Sequence, residues 1–180
     1  MINPINNFLD IDKQIKKILE IQGELPSNRV LNAISIRGQD LSKLIEGKIY
    51  ESYDVSDLFI IFEKVFNPSS TDNVSMTEND GSITNYLSFY IKVLIYGNNS
   101  NNVASKIKSR LLTSKVRNDL DFKGIHICSI SNPESMTEFI NNTLWIRTDL
   151  TLNISCRQIV SEIEDDYEMD TINNIEFKEI

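Results

Sequence analysis

Two long stretches that alternate between apolar and polar residues constrain the fold of this 180-residue chain more than any other feature. The first covers residues 86–96, and the second, which alternates more cleanly, covers residues 144–156. Successive side chains of a β-strand point to opposite faces, so each stretch predicts a strand with one face in the core. At about 3.4 Å per residue the second strand would span roughly 40 Å, which is longer than most domains require.

The alternation of the second strand also assigns its side chains to faces. Six residues are predicted to point inward: Leu144, Ile146, Leu150, Leu152, Ile154 and Cys156. Trp145, Arg147 and Asp149 are predicted to point outward. Tryptophan and arginine are enriched at the centres of protein interfaces, so these three residues form a candidate interface. The alternative, that a loop or helix of the same chain covers Trp145, is also open, because tryptophan is usually well buried.

The remaining segments predict helices around this sheet and further strands, one of them at residues 125–128. Residues 8–22 carry apolar side chains at intervals of three and four, which predicts a helix ended by Gly23 and Pro26. A second helix is predicted to begin near Ser100 and to cover the sheet through Val103, Ile107 and Leu111. Residues 58–66 predict a strand that is apolar on both faces and therefore central or covered on each side. Residues 29–37 fit a strand or a helix.

These elements predict an α+β fold, with a mixed or antiparallel sheet of about four to five strands covered by helices. One domain is expected over residues 1–180, with an N-terminal helix or arm at 1–26. Residues 67–82 are too many for an ordinary hairpin connection, so we predict either a long β-hairpin arm that contacts a partner or a mobile surface loop. Four residues of this arm are candidate contacts: Asn67, Asp72, Met76 and Asp80.

Composition and charge exclude several classes of function. A formal net charge of −8 disfavours nucleic-acid binding, since phosphate backbones would repel the chain. No apolar run approaches the roughly 20 residues that span a bilayer, and the first residues do not resemble a signal peptide. We therefore expect a soluble, unsecreted protein without a membrane partner. Cys128 and Cys156 are predicted to be buried, reduced thiols; a disulfide between them would need oxidising conditions.

The sequence contains few motifs that indicate catalysis or the binding of a ligand. The single histidine, His126, lies in a predicted strand, and no accompanying signature supplies a nucleophile or an orienting carboxylate, so a structural role is expected. The glycines are too scattered for a phosphate-binding loop. The acidic run at residues 162–170 lacks the spacing of a calcium-binding loop and is expected to be solvated. We expect no enzyme activity, no cofactor and no metal.

With these residues laid out, the chain resembles the neck-terminator and tail-completion proteins of tailed bacteriophages. The resemblance lies in FYIKVLIYG at residues 89–97, in the helix at 102–112, in KGIHI at 123–127 and in WIRTDLTL at 145–152. The last segment is similar to the family's strand of an aromatic residue, arginine, an acidic residue and an apolar residue. AISIRGQ at 33–39 also looks like the family's early glycine–glutamine segment.

This resemblance implies a small structural subunit of the virion. It implies a homo-oligomeric, hexameric ring, assembled in the host cytoplasm, that terminates the tail tube and joins it to the head connector or adaptor proteins. DNA would only pass through the lumen, where an acidic surface would let it slide. The outer face with Trp145 and Arg147 and the arm at 67–82 are then the expected contact patches. The long arm leaves the neck position open between tail terminator, head-completion ring and adaptor, and the alternative is a cytosolic interaction module.

Overall fold

The computed structural model describes residues 8–33, 53–66, 74–77 and 83–160 of the chain. Its helices are α1 (Phe8–Gly23), α2 (Ser100–Leu111) and α3 (Ser114–Asp121). Its strands are β1 (Val30–Asn32), β2 (Phe59–Phe66), β3 (Val74–Thr77), β4 (Ile83–Tyr96), β5 (Ile125–Ile130), β6 (Glu134–Ile140) and β7 (Thr143–Val160). A short 3₁₀ turn (Ser27–Arg29) joins α1 to β1. The α+β class predicted from the sequence is confirmed.

The sheet is built around the two long alternating strands. Its order is β1-β2-β4-β7-β5, with β3 paired to the beginning of β4 and β6 paired to the beginning of β7. The β4 strand lies antiparallel to β7 from Ile83 opposite Val160 to Tyr96 opposite Arg147. On its other edge β7 pairs first with β6 and then with β5, both antiparallel. The β1–β2 pair is parallel, so the sheet is mixed.

The main core lies between one face of the sheet and helices α1 and α2. The predicted stripe of α2 is confirmed, since Val103, Ile107 and Leu111 are buried. The hydroxyl of Ser100, the first residue of α2, and the hydroxyl of Thr148 on β7 form a hydrogen bond of 2.9 Å. From the sheet the core receives Ile60, Phe62, Phe89, Ile91, Val93, Ile95, Leu150, Leu152, Ile154 and Cys156. The inward assignments for residues 150–156 are therefore confirmed.

A second, smaller cluster of buried side chains lies on the opposite face of the sheet. It contains Ala33, Phe59, Ile61, Tyr96 and Trp145. Since β2 contributes side chains to both clusters, it is covered on each face, as its doubly apolar sequence predicted.

Several expectations from the sequence are wrong in detail. The described residues form seven strands rather than four or five, because β1, β3 and β6 are short or weakly patterned. Leu144 and Ile146, predicted to point into the core, are 59% and 40% exposed. Both residues lie on the core face of β7. The first residue of α2, Ser100, lies over Thr148, so the helix does not extend as far as Leu144 and Ile146.

The two cysteines differ in their surroundings. Cys156 is buried as predicted, and burial raises the pKa of its thiol to about 12. Cys128 is exposed, contrary to the prediction, because it follows the alternation of β5, in which Ile125 and Ile127 face the core and His126 and Cys128 face away from it. Within the described residues, neither cysteine forms a disulfide.

Some predictions fall on residues outside the described part of the chain. These include the acidic run at 162–170 and the contact residues Asn67, Asp72 and Asp80. Within the predicted arm, β3 is described and pairs with β4 from Val74 opposite Tyr86 to Thr77 opposite Ile83, with Met76 exposed. In the described part of the chain, no helix has the length and apolar character needed to cross a membrane.

Candidate functional site

The β6–β7 hairpin is the feature of the described residues that best fits a contact surface. Ile140 pairs with Thr143, which leaves Asn141 and Asn142 as a two-residue turn. Both have positive φ angles, 48° and 60°. Two left-handed residues in a two-residue loop are typical of the type I′ turn, whose twist matches that of the flanking strands, and asparagine tolerates this conformation better than most residues. The turn therefore fixes the register of the hairpin.

The tip of this hairpin extends past the neighbouring strand. The β4 strand ends where Tyr96 pairs with Arg147, and the Gly97 N–H donates one further hydrogen bond to the Ile146 carbonyl at 3.0 Å. Gly97 has a φ of 111°, and a Cβ there would lie 2.5 Å from the Asp57 carbonyl oxygen, so only glycine fits this close approach. Among the described strands, residues 143–145 have β6 as their one neighbour.

Trp145 anchors one face of the hairpin to the sheet. Its ring meets Phe59 edge-on at 5.9 Å and Tyr96 at 6.3 Å between centroids. Phe59 in turn stacks on Tyr53 at 4.4 Å and on Tyr96 at 4.9 Å. Trp145 lies on the side of the sheet away from the main core, as alternation predicted. It is only 3% exposed, because other residues of the chain cover it. The sequence left open the alternative that the chain itself covers Trp145, and the structure has this arrangement.

Arg147 is held within the hairpin by acidic side chains. Its Nε donates to Asp149 Oδ1 at 2.7 Å, and its Nη1 donates to Glu138 Oε2 at 2.7 Å. The Tyr96 hydroxyl donates to the same Glu138 oxygen at 3.1 Å. Burial alone would lower the pKa of Arg147, but the hydrogen bonds and negative charge of Asp149, together with the neighbouring Tyr96 hydroxyl, outweigh it and raise that pKa above its ordinary value.

This network crosses between strands and fixes the base of the hairpin. Glu138 belongs to β6, Arg147 and Asp149 to β7, and Tyr96 to β4. The structure thus brings together the three predicted residues Trp145, Arg147 and Asp149 on one face, where they pack and pair with their own chain. Their participation in a contact with another subunit stays a prediction.

The opposite face of the hairpin carries exposed apolar side chains. Cross-strand pairing places Phe139 opposite Leu144 and Thr137 opposite Ile146, so Phe139, Leu144 and Ile146 share this face. Phe139 is 70% exposed. We call these three residues the hairpin apolar face. Exposed apolar groups gathered at one place often mark an interaction site.

Sequence reasoning missed the part of this face that lies on β6. The adjacent pair Asn141-Asn142 was the available signal, because such pairs favour two-residue hairpin turns.

Elsewhere, His126 is exposed on β5, with its Nδ1 2.9 Å from Asp121 Oδ1. The described residues contain no group of three or more histidine, cysteine or acidic side chains placed to hold a metal ion.

The chain matches the model of a known protein family. A family model described as "Phage neck terminator protein" matches residues 39–180, well over half of the chain. The matched range contains β2 to β7 and the whole β6–β7 hairpin. A search among curated proteins found no match.

Proposed function

The chain belongs to the phage neck terminator protein family, and on that premise we propose that it forms a ring that terminates the tail tube and joins it to the head connector. Membership makes it a structural protein of the phage neck, located in the virion. The family is structural rather than enzymatic. Membership also favours the virion over the alternative of a cytosolic interaction module.

The hairpin apolar face is the observation that supports a ring most directly. A ring is closed by heterologous contacts, in which one patch meets a different patch on the neighbour. The asparagine turn, the packing of Trp145 and the ion pairs of Arg147 hold the hairpin in place before any contact forms. A surface that is already ordered loses little conformational entropy on binding. In this proposal Trp145, Arg147 and Asp149 serve the interface by supporting the hairpin.

The β3 strand offers a second patch in a suitable position. Met76 pairs with Thr84 near the beginning of β4, whereas the hairpin tip lies beyond Tyr96 at the end of β4. The two patches are therefore separated along β4 by roughly 40 Å. Patches at opposite ends of one strand suit head-to-tail contacts between copies. We propose that the hairpin of one subunit meets the β3 arm of the next, with Asn67, Asp72, Met76 and Asp80 as contact residues.

The size of the hairpin apolar face limits how strongly this contact can hold. Fully burying an apolar side chain contributes about 1.5–3 kcal/mol, whereas association costs roughly 4–15 kcal/mol. Three such side chains would contribute at most about 5–9 kcal/mol, which lies within the range of that cost and not clearly above it. We expect the ring to need further contacts with the tail tube protein or with the connector and adaptor proteins.

Substitution of the hairpin apolar face tests this proposal. Phe139→Ser combined with Leu144→Ser removes exposed apolar groups and should leave the fold intact, which circular dichroism and urea unfolding would check. When the double variant is the only copy present during infection, we expect few infectious particles. Ile21→Ser is the matched control, because Ile21 is exposed on α1, away from the hairpin, and should give normal yields. A folded double variant with wild-type particle yield would contradict the proposal.

A cross-link identifies the neighbour of the hairpin. A photoreactive phenylalanine analogue at position 139 should join two copies of this chain in purified particles. Cross-links to other virion proteins alone would contradict a contact between copies.

A further inference from the structure

The negative charge of this protein is concentrated in its last twenty residues. Residues 161–180 contain eight acidic residues and one basic residue, whereas residues 1–160 contain eighteen acidic and seventeen basic residues. Residues 161–180 lie outside the described part of the chain, which ends at Val160. We call them the acidic segment. Almost the whole net charge of −8 therefore belongs to this segment, while the rest is close to neutral.

The described chain ends next to an exposed apolar and basic surface. The Arg157 N–H donates to the Gly124 carbonyl at 3.0 Å, which places β7 beside the end of α3. Val160 follows three residues later, roughly 10 Å along an extended chain. Phe122, two residues before Gly124, is 64% exposed, and Leu112, between α2 and α3, is 47% exposed.

The charges on this side of the molecule are opposite to those of the acidic segment. Residues 100–124 contain six basic and two acidic residues. Two of the basic residues, Lys106 and Arg110, pair with Glu24. Lys115 and Lys123 are exposed, and each lies about one helical turn from the exposed Asp119. Lys115 and Phe122 lie seven residues apart, about two helical turns, and therefore on one side of α3. We call Leu112, Lys115, Phe122 and Lys123 the α3 surface.

We propose that the acidic segment docks on the α3 surface of its own chain. Its carboxylates would lie near Lys115 and Lys123, and its apolar residues, among them Ile163, Tyr167 and Met169, would cover Phe122 and Leu112. Length permits this arrangement, because ten extended residues reach roughly 33 Å and α3 is about 12 Å long. Exposed ion pairs are individually weak and ordering a chain segment is costly, so the docking is reversible and sensitive to salt.

Docking of this kind would matter for a neck protein. It would cover an apolar surface in the free subunit and could release the acidic segment when another protein takes its place. The inference concerns the single chain and does not depend on ring formation. Its test uses the purified protein without other virion components.

Nuclear magnetic resonance can detect the docking directly. The full chain is compared with a chain ending at Val160, to which a synthetic peptide of residues 161–180 is then added. We expect the amide resonances of Leu112, Lys115, Phe122 and Lys123 to shift on truncation and to return as the peptide binds. Raising NaCl from about 50 mM to about 500 mM should weaken peptide binding by about tenfold or more.

Charge reversal supplies the matched control. Lys115→Glu with Lys123→Glu in the truncated chain should abolish peptide binding, whereas Lys13→Glu with Lys17→Glu makes the same change in charge on the exposed side of α1 and should leave it unchanged. Unshifted resonances after truncation, or equal peptide binding by both double variants, would overturn the proposal. Resonance shifts in the full chain that grow with protein concentration would also overturn it, since they indicate docking between copies.

Discussion

At the scale of single residues, Trp145 does most to hold the hairpin against the rest of the sheet. It fills the second buried cluster together with Phe59 and Tyr96, and edge-on aromatic contacts of this kind add roughly 0.5–1.5 kcal/mol each beyond the area they bury. Arg147 adds ion pairs to Asp149 and Glu138 on the same face. The hairpin is therefore supported from one side and exposed on the other.

Replacing Trp145 tests this supporting role. Trp145→Ala should lower the free energy of unfolding by about 3 kcal/mol or more, because it leaves a cavity between β2, β4 and β7. Urea unfolding followed by circular dichroism measures the change. Phe139→Ala is the matched control, since Phe139 is an exposed aromatic residue of the same hairpin and should cost less than about 1 kcal/mol. Equal losses for the two variants would contradict the assigned roles.

Alternation in the sequence predicted the side of the sheet on which each of these residues lies, but not what covers it. Trp145 is covered by residues that are distant in sequence, among them Tyr53 and Phe59. Leu144 and Ile146 have the same pattern as Leu150 and Leu152 and differ only in lying beyond the start of α2. Burial at a given position depends on where a helix begins over the sheet, which a strand's own sequence does not contain.

At the scale of elements, the type I′ turn determines whether β6 and β7 pair in the observed register. A left-handed conformation costs most residues roughly 1–2 kcal/mol, whereas glycine adopts it freely and asparagine at a lower cost. Asn141 and Asn142 both adopt it. The hairpin thus depends on the identity of its turn residues as well as on its cross-strand pairs.

Substitution at Asn142 tests the turn. Asn142→Gly should leave the free energy of unfolding unchanged or raise it slightly, because glycine fits the positive φ angle. Asn142→Val should lower it by about 1–2 kcal/mol, since a β-branched side chain is strained there. Thermal unfolding, together with amide exchange of β6, measures both effects. A valine variant as stable as the glycine variant would contradict the turn assignment.

The elements that the sequence predicted well are those with long, regular periodicity. Helices α1 and α2 and strands β2, β4 and β7 each bury a stripe or a face that their own residues define. The β6 strand was missed because most of its side chains are exposed, so it has no apolar pattern and takes its conformation from pairing with β7. The sequence suggested a hairpin arm at residues 67–82, whereas the hairpin that the structure describes fully is β6–β7.

At the scale of the whole molecule, β4 and β7 connect two ends with different surfaces. The hairpin apolar face lies at one end, and β3 and Val160 lie at the other. A subunit with distinct patches at opposite ends can repeat head to tail until a ring closes. This arrangement, together with membership in the phage neck terminator family, is the basis of the proposed ring at the neck.

The number of copies in the virion tests this central claim most directly. Quantitative mass spectrometry of gradient-purified phage particles, with a major capsid protein of known copy number as the internal standard, gives that number. A closed ring at the neck predicts about six copies per particle, or a small multiple of six. Hundreds of copies would instead indicate a subunit of the tube or shell, and absence from the particles would contradict a role in the virion.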